Sequence, residues 1–216
     1  MAWLWLLASL ALMSLFLALH LLPFSPAART RAVTAAGGER TYALLFTALS
    51  LVALIGAFGL AASAPAVRLW PSSEGLRWLA LGLTALAFPL IAAAYVGGEG
   101  WRLARHPMLA GVTLWAFAHL IATGTLAAGL VFALVGAYAL AAMVLSDRRL
   151  ARRDAQAACA HFAQSHPVPF WGLVRGDGLG GFKPLALLVG LGLWAAFLAA
   201  HPWLFGVSPL PLGWRG

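Results

Sequence analysis

Six histidines, His20, His106, His119, His161, His166 and His201, are the residues of this chain best suited to chemistry. Imidazole titrates near neutral pH and is a frequent metal ligand. His106 and His119 bracket the stretch RHPMLAGVTLWAFAH, thirteen positions apart in a segment that is otherwise apolar. An ionisable side chain at membrane depth is costly unless it has a partner, so each of these is a functional candidate. A neutral imidazole bonded to a neighbouring helix satisfies the same energetics. Thirteen helical residues rise ~20 Å and leave the two side chains ~140° apart around the axis. Two axial nitrogens on one haem iron sit only about 4 Å apart. The two histidines therefore cannot clamp one iron, and each needs a partner from another element. His161 and His166, five apart near Cys159, are poorly spaced for a shared metal and read as solvated. One cysteine excludes an intramolecular disulfide and a thiolate cluster.

The elements that must position these groups are membrane helices. The chain is 62% hydrophobic and 9% charged, too apolar to cover a water-soluble domain. Apolar runs suited to a ~30 Å hydrocarbon core are expected near 2–22, 42–62, 78–96, 107–121, 126–145 and 184–200. Such uninterrupted runs predict helices, because barrel strands would alternate. The expected fold is an all-α, polytopic transmembrane bundle of about six spans in a single domain, 1–216. Its long connection, 146–183, contains RRLARRDAQAACAHFAQ, a candidate amphipathic helix on anionic headgroups, and then PVPFW and GDGLGG, which read as turns. The first span lacks the basic leader of a secretory signal and is expected to be retained.

Basic residues set the expected orientation. Alternating spans put Arg29, Arg31, Arg40, Arg102, Arg105, Arg148, Arg149, Arg152, Arg153, Arg175 and Lys183 on one face. Only Arg68, Arg77 and Arg215 fall on the other. Both termini are then periplasmic, in a bacterial inner membrane. The net charge of +8 follows from topology and calls for no nucleic-acid partner. Oligomeric state is open.

This topology pairs histidines by depth. His20 ends an inward span and His106 begins an outward one, so the two reach a common inner level. His119 and His201 lie toward the outer ends of their spans. Arginine forks bind carboxylates such as haem propionates, and Arg40, Arg102 and Arg105 lie beside the inner pair. The positive-inside bias explains the same arginines. Pro107 suits the first helical position, which places His106 at the helix cap. Ala110 and Gly111 allow close helix approach. Trp115 suits a flat ligand, a core position or the lipid face. The expected metal ligands are His20 and His106, with His119 a further catalytic candidate.

The segments LHLLPFSPAARTRAV, GERTYALLFTALSLVAL, RHPMLAGVTLWAFAHLIATG and HPWLFGVSPLP, in this order, resemble the NnrU family of bacterial membrane proteins. That family was named through its association with denitrification. The chain is also similar to 15-cis-zeta-carotene isomerase, a haem b enzyme with histidine ligands. The resemblance implies haem b, with His106 as the firmest ligand, His20 as the second and His119 in an unassigned role. Met108 stands where the isomerase is expected to carry glutamine, which leaves the substrate open.

These observations favour a haem b isomerase, or a related redox-switched enzyme, acting on an isoprenoid or carotenoid-like molecule. One alternative is an accessory or sensor protein of nitrogen-oxide metabolism. Another is a membrane methyltransferase with an RHP motif, against which the basic SDRRLARRD segment argues. No pair of broken helices at equivalent positions in two halves suggests a transporter.

Overall fold

The computed structural model describes residues 2–98, 103–174 and 183–211. Arg102, Arg175, Arg215 and the GDGLGG segment lie outside the described residues. The described chain is helical: α1 Ala2–Leu21, α2 Pro26–Ala35, α3 Glu39–Ser63, α4 Glu74–Val96, α5 Pro107–Thr123, α6 Leu126–Arg153, α7 Ala155–Gln164, α8 Trp171–Val174 and α9 Pro184–Phe205. Five helices, α1, α3, α4, α6 and α9, are long and apolar enough to cross a membrane. The shorter α5, at 17 residues, reaches about 26 Å.

Helix ends follow local chemistry. Ser25, Ser73 and Asp154 cap α2, α4 and α7 by accepting from Ala28, Leu76 and Ala157 backbone N–H groups. Two sequence expectations shift. α6 does not stop near residue 145 but runs on through Arg153, because nothing in SDRRLARR breaks it. The expected single amphipathic helix is therefore two, divided at Asp154, whose extended backbone ends α6 and caps α7. The short α2, polar on average and without an apolar stripe, was not expected.

Contacts group into two units, Met1–Trp70 with Gly124–Leu134, and Pro71–Thr123 with Val135–Gly216. In the first unit α1 and α3 pack antiparallel. The Ser9 hydroxyl donates to the Ala57 carbonyl at 2.7 Å, and His20 meets Phe46. Ala53, Ala57 and Ala61 form a buried small-residue stripe on α3 that admits the backbone of α1 with Leu6, Ser9 and Met13. Gly124, at φ +62°, turns the chain where a Cβ would collide with the Trp70 carbonyl. Its own carbonyl accepts from Leu69 at 2.7 Å.

In the second unit α4 is central. Along its length it meets α9 in antiparallel order: Arg77 donates to the Leu210 carbonyl, the Trp194 indole donates to Thr84 at 3.0 Å, and Pro89 packs on Gly190. It meets α5 antiparallel too, Gly111 lying against Ala87 and Ile91, and Tyr95 against Met108. A Cβ on Gly111 would sit 2.6 Å from the Ala87 oxygen, so only glycine allows this approach. Since both are antiparallel to α4, α5 and α9 run in the same direction. Their C-terminal ends, carrying His119 and His201, share one end of the unit.

Candidate functional site

Two histidine clusters occupy opposite ends of the second unit. At the start of α5, Pro107 begins the helix and leaves Arg105 and His106 on the approach to it. His106 Nε2 donates to Asp147 Oδ1 at 2.8 Å, and Arg105 Nη1 donates to Asp147 Oδ2 at 2.8 Å. Asp147 rides on the part of α6 that outruns its apolar stretch. The Arg105 Nε donates to Ser165 Oγ at 3.0 Å, Nη2 reaches the Ser165 carbonyl, and the guanidinium lies 4.4 Å from the centre of the Phe162 ring. The Ser165 hydroxyl donates in turn to the His161 carbonyl. Arg105, expected to meet a cofactor carboxylate, thus spends most of its fork within the protein. Because a carboxylate only accepts, Nε2 of His106 carries its proton toward Asp147. Burial, with the Arg105 guanidinium and the His106 ring nearby, holds the His161 imidazole below its usual 6.5, against the opposing pull of the Asp147 carboxylate.

The other end brings His119 and His201 together. Their ring centres are 6.5 Å apart and their planes lie within 18° of parallel. His119 Nδ1 donates to the Trp115 carbonyl one turn earlier, at 2.8 Å. His201 Nδ1 donates to the Val207 carbonyl at 2.8 Å. That second bond depends on the helix end. Gly206, at φ +70°, closes α9 in a left-handed cap with its N–H on the Pro202 carbonyl, folding the chain back so that Val207 reaches His201. A carbonyl accepts only, so both Nδ1 atoms are donors and each neutral ring keeps its lone pair on Nε2. Aromatic rings continue the row, Trp115 4.6 Å from His119 and Phe205 4.7 Å from His201. Arg77 is a cation at this end, with Nη1 on the Leu210 carbonyl at 3.0 Å and Nε on Ser72.

The donor set can be tested against haem. A carbonyl on Nδ1 is the usual outer partner of a metal-bound histidine, fixing ring and tautomer. The His119 and His201 rings are stacked with centres 6.5 Å apart, and each carries an Nε2 lone pair of the kind that could hold a metal. Two protein donors suit iron already held by a macrocycle. Among the described residues no group of three or more His, Cys, Asp or Glu side chains could hold a bare ion.

The remaining described candidates belong to the first unit. His20 is in the first unit, its Nδ1 donating to the Phe16 carbonyl at 2.9 Å and its ring between Phe16 and Phe46. Arg40 is exposed in the first turn of α3. Arg29 is held by Glu39 through bonds of 3.0 and 2.7 Å, tying α2 to α3. Asp147, which no sequence motif singled out, is the main addition. Its signal was rarity, since only six Asp and Glu occur in the chain.

A model of the NnrU protein family matches residues 8–209. No curated protein and no solved structure matches the chain. The match begins within α1 and takes in the other membrane helices and both histidine clusters, and the chain belongs to the NnrU family.

Proposed function

We propose that this protein binds haem b, which His119 and His201 would hold, and that it is a cis–trans isomerase or related redox-switched enzyme on a hydrophobic, isoprenoid or carotenoid-like molecule. The observation carrying the haem reading is the nearly parallel imidazole pair with both Nδ1 donors on backbone carbonyls. This assignment departs from the inner pair expected from sequence. His106 Nε2 already serves Asp147. Coordination through that nitrogen would take from the carboxylate one of its two donors.

When bound, haem would supply a one-electron redox centre. The chain's contribution is orientation. Trp115 and Phe205 flank the histidine rings, and the two carbonyls hold their tautomers. The apolar helices present a hydrophobic molecule from the lipid side.

The test is purification from cells supplied with haem precursor, read by absorbance. A Soret band of bis-imidazole type is expected in the wild type, in His20→Ala and in His106→Ala, and is expected to collapse in His119→Ala and His201→Ala. Retention in the latter pair with loss in the former would restore the inner assignment. A colourless wild-type protein that retains S-adenosylmethionine would overturn the haem reading.

A further inference from the structure

We infer that the first unit holds a binding site for a neutral lipophile bearing one carbonyl or hydroxyl oxygen, with the Tyr42 hydroxyl as its polar contact. The inference deepens the substrate half of the function proposed above and uses none of the haem half.

A cavity of about 270 Å³ opens between the end of α1, α2 and the start of α3, with walls that include Leu19, Leu22, Ala32, Phe46 and Leu49. Its volume lies just under the ~300–1,000 Å³ range of small-molecule sites, so it suits a segment of a lipid and not a whole carotenoid. Tyr42 lines the same cavity. Its hydroxyl is buried and has no hydrogen-bond partner among the described residues. Burying a hydroxyl without a partner is unfavourable, and a phenol both donates and accepts. A ligand oxygen meeting Tyr42 would remove that penalty, whereas a plain hydrocarbon would leave it.

Charge at the rim argues for a neutral group. The Arg29 guanidinium lies 5.7 Å from the centre of the Tyr42 ring, but both its terminal nitrogens are taken by the Glu39 carboxylate. That pair is internally neutral, so it offers no net charge to an acid or an amine. Space comes from small side chains: Ala32, Ala35 and Ala36 form the α2 wall where longer residues would fill the volume.

The experiment uses the full chain in detergent and native mass spectrometry, with geranylacetone, a short isoprenoid ketone, against the hydrocarbon of the same skeleton lacking the carbonyl. The wild type is expected to bind the ketone about tenfold more tightly than the hydrocarbon, the effect of one hydrogen bond to a group otherwise unsatisfied. Tyr42→Phe should abolish that preference while keeping its melting temperature or raising it, since it deletes only the orphaned hydroxyl. Ala32→Phe should block both molecules. Equal binding of ketone and hydrocarbon to wild type, or an unchanged preference in Tyr42→Phe, would mean that the cavity simply admits acyl chains, and would overturn the proposal, as would failure of both molecules to bind. The Soret band of Tyr42→Phe is expected to match wild type; a wild-type protein with its Soret band but no preference for the ketone overturns this inference alone, whereas a colourless wild-type protein that keeps the preference overturns only the haem assignment.

Discussion

Replacing Asp147 with alanine is expected to destabilise the protein by about 2 to 3 kcal/mol, between a surface pair at ~0–1 kcal/mol and a fully buried one at ~3–5 kcal/mol. Its position between those limits follows from exposure. The Arg105 side chain is 13% exposed and that of His106 19%, whereas Asp147 keeps 26% of its own surface open. Alanine strands two donors at once, each now 2.8 Å from its carboxylate oxygen. Arg105 is not left wholly unpartnered, because Ser165 and the Phe162 face stay in place, and this sets the upper end of the estimate. Asp147→Asn preserves volume and one acceptor oxygen but turns an amide toward the second donor, and should cost about 1 to 2 kcal/mol. The assay is reversible unfolding in mixed micelles, with a double-mutant cycle against Arg105→Ala. Adjacent partners should give a coupling energy of about 1 to 2 kcal/mol. An Asp147→Ala protein within about 0.5 kcal/mol of wild type, the range of ordinary surface changes, would refute the view that this carboxylate organises the start of α5. Under the haem assignment above, the same variant keeps its Soret band.

Stability should fall as pH drops through the region at and below 6.5, partly through His161. Its folded imidazole resists a proton that the unfolded one takes near 6.5, so the unfolded state binds more protons there and stability is fully present only above that value. His161→Gln should flatten the decline in melting temperature between pH 7.5 and 5, and an unchanged slope would remove His161 from the cause. Gly111→Leu should separate α4 from α5 and cost about 1 to 3 kcal/mol as overpacking, given the Ala87 and Ile91 atoms in its way. A wild-type melting curve for that variant would show that the helices shift apart freely.

The spans were legible because each is a long run without a charge, and their observed ends fall within a few residues of those expected. Where the ends moved, the determinant was something other than hydropathy. α6 continues through Ser146–Arg153 because helix propagation does not stop at the edge of an apolar run and needs a breaker, which arrives only at Asp154. The α2 segment is too polar to register as a span and too short to show a clear face. Asp147 escaped notice because SDRRLARRD reads locally as a basic run. Its partners are 41 and 42 residues earlier in the chain, and only the folded backbone brings them together. By contrast, the meeting of His119 and His201 follows from direction alone, since α5 and α9 point the same way and end in histidines at similar heights.

The hydrogen-bond partner of each imidazole separates the two histidines that begin and end α5. His106 faces an acceptor through Nε2, which makes that nitrogen a donor and commits it to binding the start of α5 to α6, while the adjacent Arg105 ties the same point to the end of α7. His119 faces an acceptor through Nδ1, which puts the ring's lone pair on Nε2, and His201 does the same from a separate helix. A histidine that must bind a metal through Nε2 needs the second arrangement and is hindered by the first. Both positions carry the same side chain; the difference is made by what the neighbouring backbone or carboxylate accepts. A short RHP motif read without Asp147 therefore points to ligation, whereas RHP read with Asp147 points to a structural clasp. Under the proposed assignment, the histidine at the far end of the same helix is the one that would hold iron.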